Sequence, residues 1–287
     1  MRLDAALLGE ASASDQLLTA TERASSGKTV SSPADDPAAF ARIATATAEA
    51  SRLDARSRSL TGAQADLEVG DAALGSAADL VAQARDLAVQ MADGSYSAGD
   101  RAIAANQVTS ITEGLVSLAN TRGQDGYILG GTASQSPPFS SAGAFNGNDN
   151  PQLVELSTQT TIRSNASGAN AFTAQGGRDV FQDLAALATA LSTNNVAGVQ
   201  NLVGAMKSDQ TQVVTARASV GVTLDRVRSA AQFTQTLSTT VQSAIAKDQG
   251  ADSLKTYTDL SSAQAAYQRS LEMAKRALAT LNVSPTG

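Results

Sequence analysis

Leu53, Leu60, Leu67, Leu74 and Val81 recur at seven-residue intervals, with Ala88 next in the series. Ala63, Gly70, Ala77, Ala84 and Met91 follow three residues after the members from Leu60 onward. An a/d seam held over about five heptads commits this stretch to one long helix. Its second row is small, so a partner helix can approach closely. Asp36 suits the N-cap and Pro37 the first helical position, and Gly94-Ser95 ends the pattern. A shorter helix is expected from about Asp100 to Ala119.

The C-terminal half repeats this character. Val220, Leu224, Val227, Ala231, Thr234, Ser238, Val241 and Ile245 alternate spacings of four and three. After Gly250 a second stripe runs through Tyr257, Leu260, Gln264, Tyr267, Leu271, Ala274, Leu278 and Leu281. Leu7, Ala11, Ser14, Leu18 and Thr21 give a weaker version at the front. Between the halves the composition changes. Gly130-Gly131, Pro137-Pro138 and Gly176-Gly177 punctuate three short β-leaning runs, Tyr127-Ile128-Leu129, Leu153-Val154-Glu155-Leu156 and Thr160-Thr161-Ile162.

The expected fold is therefore mainly α: an elongated antiparallel bundle or coiled coil of N- and C-terminal halves with a small β-rich insertion. Residues 1–35 and 250–287 form a terminal coiled-coil segment, 36–122 with 178–249 the helical bundle, and 123–177 the insertion. Paired only with each other, the terminal stripes bury little area, and short helical pairs are marginal in water. Those ends are expected to stay mobile until neighbouring subunits cover them. Leu7, Leu18, Leu260, Tyr267, Leu271, Leu278 and Leu281 are the candidate assembly residues.

Composition narrows the function. Only 4 Tyr and 6 Phe, with no Trp, serve a chain of 287 residues that is 42% hydrophobic. Alanine carries the apolar count, which favours close-packed helices over a compact enzyme core. With no His and no Cys, disulfides, thiolate nucleophiles, imidazole acid–base chemistry and most zinc, haem and iron–sulfur sites are excluded. No cofactor is expected. A net charge of −6 argues against nucleic acid and anionic membrane. Arg52, Arg56 and Arg58 are interspersed with Glu49 and Asp54 and read as a solvated helix face. Asp4 and Glu10 interrupt the front of the chain, so it does not match a secretory signal. No stretch reaches the roughly 18 apolar residues of a membrane span.

Three motifs hint at chemistry and are each better explained otherwise. Gly27-Lys28-Thr29 ends like a phosphate-binding loop, but Glu22 stands where the first glycine belongs, and an extended segment follows. Asp35 and Asp36 could form a carboxylate pair, yet beside Pro37 they suit helix capping. Asn146, Asn148 and Asn150 alternate like calcium ligands, with Pro151 at the position that requires glycine and Ser157 at the position that requires a carboxylate. No catalytic or metal-binding residue is assigned.

The order of several segments carries a resemblance. Ser25-Ser26-Gly27-Lys28-Thr29-Val30 followed by Ser32-Pro33-Ala34-Asp35-Asp36-Pro37-Ala38-Ala39 resembles the N-terminal signature of flagellins and flagellar hook-associated proteins. Leu118-Ala119-Asn120, Gly126-Tyr127-Ile128-Leu129-Gly130-Gly131-Thr132 and Pro137-Pro138-Phe139 are similar to the hook–filament junction family of the FlgL type. Ala218-Ser219-Val220-Gly221 with Leu224-Asp225-Arg226 resembles that family's returning helix, and Gln264-Ala265-Ala266-Tyr267-Gln268 with Ser270-Leu271 its last helix.

The resemblance implies a non-enzymatic structural subunit of the bacterial flagellum. It also implies export through the flagellar type III channel without a cleaved signal, an extracellular location and an export chaperone. Assembly would be as a ring of copies between the preceding hook-associated protein and flagellin, with no nucleic acid and no membrane insertion. A filament flagellin is the nearest alternative, and a cytoplasmic helical scaffold a more distant one.

Overall fold

The computed structural model describes residues 2–157, 159–250 and 252–282, with side-chain surroundings given within 7–278. Among these residues, seven α-helices and one two-stranded sheet account for the regular structure, apart from a short 3₁₀ turn. In chain order they are α1 (Arg2–Ser26), α2 (Pro37–Met91), α3 (Ala98–Ala119), β1 (Leu153–Ser157), β2 (Thr160–Arg163), α4 (Gly168–Phe172), α5 (Val180–Ser192), α6 (Val196–Gln249) and α7 (Ser253–Asn282). The mainly α class with a small β insertion holds. The chain divides into two compact units, residues 1–52 with 237–287 and residues 53–236. The division falls within α2 and α6, whereas the sequence pattern set its boundaries near Asp36 and Gly250.

The residues 53–236 form a unit with a large continuous core. Leu53, Leu60, Leu67, Leu74, Val81 and Ala88 are all at most 1% exposed, and Ala77, Ala84 and Met91 are buried with them. From Leu60 onward, the row packs with Val108, Leu115, Leu184, Leu187, Leu191, Val199, Met206, Val213, Val220, Leu224 and Val227 in one cluster. Burying each large apolar side chain contributes about 1.5–3 kcal/mol.

Caps define most of the helix ends. Asp36 accepts hydrogen bonds from the N–H groups of Ala38 and Ala39 at 2.9 Å each and opens α2. Ser97 and Asp100 form a reciprocal capping box that starts α3 two residues before Asp100. Asp179 caps α5 through the N–H of Gln182. One buried side chain closes both turns at one end of this unit. Arg101 donates to the carbonyls of Met91, Asp93 and Tyr96 after α2, and to Asn194 Oδ1 in the α5–α6 turn, at 2.6–3.1 Å. These carbonyls lack helical partners, so the guanidinium satisfies groups that would otherwise be orphaned.

The insertion is organised around aromatic rings. Phe139 lies 5.0 Å from Phe145, 5.3 Å from Phe181 and 5.6 Å, edge-on, from Phe172. Asn120, the C-cap of α3, holds Phe139 through a two-way pair: its Nδ2 donates to the Phe139 carbonyl and its Oδ1 accepts from the Phe139 N–H, both at 2.9 Å. Gly143, at φ +82°, lies where a Cβ would collide with the Phe181 ring. β1 and β2 pair antiparallel, Val154 opposite Ile162, with a bulge between Glu155 and Ser157. The expectation for Tyr127-Ile128-Leu129 is corrected: these residues form no strand. Gly126 (φ +127°) and Gly131 (φ +68°) turn the backbone on either side. The Tyr127 N–H goes to Ser134 and the Ile128 N–H to Thr121, while Ile128 and Leu129 bury their side chains in the core.

Candidate assembly surface

Within the unit made of residues 1–52 and 237–287, α1 packs along α7. Among the described residues, the buried ones of this pair are alanines: Ala13 and Ala20 on α1, Ala263 and Ala274 on α7. Around them, Glu10, Leu17 and Ala24 on α1 and Leu260, Tyr267, Ser270 and Ala277 on α7 are half-buried. The packed stripes therefore run 10/13/17/20/24 and 260/263/267/270/274/277, with alternating steps of three and four. A buried methyl contributes only about 0.8 kcal/mol, so this seam gains by close backbone approach more than by area.

Against that frame the candidate residues separate. Leu260, Tyr267 and Leu271 are half-buried. Leu7, Leu18 and Leu278 face outward, at 49%, 65% and 52% exposure. Leu281 belongs to the last turns of α7, past the residues whose side-chain surroundings are described. The larger apolar residues of the N-terminal stripe thus lie off the packed face, because the small residues at 13 and 20 allow closer contact than leucines would. Leu8, Leu254, Tyr257 and Met273 are also exposed. Leu8, Leu254 and Met273 fall outside the heptad rows counted from sequence, and Ala13 and Ala20 were the available signal that the α1 seam is rotated. The cleft between α1 and α7, about 830 Å³, is lined by polar groups including Asp15, Gln16, Arg23, Lys255 and Asp259.

The loops joining these helices to α2 and α6 are tied down in the same unit. Gly27, at φ +67°, ends α1. Lys28 bridges to Gly250 in antiparallel fashion, and the Thr29 N–H donates to the Gln249 carbonyl at 2.8 Å. Asp35 accepts hydrogen bonds from the N–H groups of Ser31 and Ser32 and from Arg23 Nη2 at 2.8 Å. The guanidinium of Arg23 first, then those two N–H groups, hold this carboxyl well below the usual carboxylate range. Arg42 pairs with Asp248 at 3.1 Å. Val30, Ala39 and Ile43 pack with Phe40 and Ile245 as a small apolar cluster.

These contacts account for the chemistry-like motifs. The Gly27-Lys28-Thr29 backbone is engaged with Gln249 and Gly250. Asn148 Oδ1 accepts from Thr132 and from the Asn150 N–H, an Asx-type turn. Arg52, Arg56 and Arg58 pair with Glu49, Glu155 and Asp54. Among the described residues, no group of three or more His, Cys, Asp or Glu is placed to hold a metal ion, and no helix is long and apolar enough to cross a membrane.

The bacterial flagellin N-terminal helical region matches residues 5–133. The flagellar hook-associated protein 3 of Salmonella typhimurium is 26% identical over 230 residues, covering 72% of this chain and 73% of that protein. A flagellin of Listeria monocytogenes is 33% identical over 102 residues, 36% of either chain. The crystal structure of Xanthomonas campestris FlgL superposes with a TM-score of 0.62 at 17% identity, over 71% of this chain and 99% of that one, and shows the same fold. Together these findings make the chain similar to flagellar hook-associated proteins and flagellins in sequence and to FlgL in fold.

Proposed function

We propose that the chain is a structural subunit that joins a preceding hook-associated protein to the flagellin filament. A flagellar location follows from its relatives. One observation carries the finer reading: α1 and α7 close on alanines and leave Leu7, Leu18, Tyr257 and Leu278 facing outward. Such a pair is complete enough to fold and incomplete enough to need neighbours. On this reading those neighbours are further copies in a ring, the hook-associated protein on one side and flagellin on the other. Export proceeds through the flagellar type III channel with a chaperone that shields the same apolar faces. No catalytic role is assigned.

A filament flagellin is the second reading, favoured by the matching N-terminal helical region. Coverage weighs against it, since the Salmonella hook-associated match spans 73% of its relative while the matches to Listeria and Vibrio flagellins span 31–43% of theirs. Electron microscopy of the purified chain separates the two. A junction subunit stays unassembled alone and joins only when flagellin and the hook-associated partner are added. Filaments formed by the chain alone would establish the flagellin reading instead.

A further inference from the structure

Asp209, on α6, is completely buried. Neither of its carboxylate oxygens accepts a hydrogen bond. Asp183, in the first turn of α5, lies beside it, and Arg178 stands between the two. The Arg178 guanidinium is directed at Asp183, with Nε and Nη2 at 2.8 and 2.6 Å from Oδ2. Asp209 Oδ1 receives only an off-line approach of the same Nε at 3.2 Å. One cation therefore serves two carboxyls, and it serves the outer one better.

One turn further along α6, Gln212 holds the same connector without any charge. Its Nε2 donates to the carbonyls of Ala171, Thr173 and Arg178, and its Oε1 accepts from the Arg178 N–H at 2.9 Å. The segment leading into α5 is thus fastened to α6 by one neutral side chain and one ionisable one. Other charges nearby are engaged elsewhere. Arg85 on α2 pairs with Asp86 and donates to Gln210, and Asp179 caps α5. The groups that act on Asp209 are Asp183 and Arg178.

We propose that Asp209, Asp183 and Arg178 form a proton-responsive clamp that fastens the connector before α5 to α6. With a proton on Asp209, its hydroxyl can donate to Asp183, and the pocket holds one anion and one cation. Loss of that proton leaves two anions around a single guanidinium, with the Asp209 charge itself out of solvent, which is costly. Burial first, then the Asp183 charge, push the Asp209 carboxyl from its ordinary 3.8 up to about 7 against the pull of Arg178. Folding thus strengthens proton binding. Between about pH 4 and 7 the folded chain keeps a proton that the unfolded chain has released. Stability falls as pH rises through that window and levels off above it.

The test follows thermal unfolding of the full chain between pH 4.5 and 8.5, beside Asp209→Asn. Asn keeps a donor toward Asp183 and cannot ionise. The wild-type midpoint should fall by several degrees more than the variant's across this range, and the variant should be the more stable at pH 8. Parallel curves would overturn the clamp. Should Asp209→Asn fail to fold, the carboxyl carbons of the wild-type protein are followed by ¹³C NMR. One aspartate titrating near neutrality supports the proposal, and all of them titrating below about pH 5 overturns it.

Discussion

The two units of this chain are built from the same few residue types and hold themselves together differently. The unit of residues 53–236 buries leucines, valines and phenylalanines in one continuous cluster. Among the described residues, the unit of residues 1–52 and 237–287 buries four alanines between α1 and α7 and a small knot around Val30 and Ile43. Both leave large apolar groups in solvent, Ile103, Leu153 and Phe233 in the first and Leu8, Leu18 and Leu254 in the second, so the contrast lies in what each unit buries. One unit rests on large side chains and the other on close approach of small ones.

This difference can be broken by mutation, and the largest effect should come from the larger core. Leu67→Ala empties a fully buried site and should cost about 2–5 kcal/mol in denaturant unfolding. Within the smaller cluster, Ile43→Ala should cost less, about 2 kcal/mol, because the site offers few neighbours to lose. If it matches Leu67→Ala, the terminal unit has a fuller core than its buried residues indicate. Asp36→Ala removes the two hydrogen bonds that open α2 and should cost about 1 kcal/mol by the same measurement. The smallest change in the free chain is expected from Leu18→Glu. At an exposed position it should move stability by no more than about 0.5 kcal/mol, yet it should abolish incorporation between hook-associated protein and flagellin. Normal incorporation of Leu18→Glu would remove this residue from the assembly surface.

Much of the fold could be read from the sequence where size and spacing agree. The row from Leu53 to Ala88 is long, regular and made of residues with no alternative use, so its buried face was legible. The same counting misplaced the seam of α1. There spacing and size disagree: Leu7 and Leu18 have the right period, but alanines at 13 and 20 permit the closer approach and take the packed face. On α7, likewise, Ala263, Ser270 and Ala277 join the row that holds Leu260 and Tyr267, while Tyr257 and Leu278 fall to its flank. Tyr127-Ile128-Leu129 has strand composition, but its pairing stops at a single bridge from Tyr127 to Arg122, with positive-φ glycines turning the chain on either side. Arg101, Asp209 and the phenylalanine cluster gave no local signal, because their partners are far away in the chain.

Arg101 sets a rule for how this protein can vary. By bonding the turn after α2 and Asn194 in the α5–α6 turn with one guanidinium, it makes the lengths of two distant turns a single inherited character. An inserted residue in either turn would pull its carbonyls or its amide off the shared donor. A lineage that lengthens one must therefore reshape the other or give up the arginine. Insertions and deletions should be scarce there, and when they occur the two turns should change together.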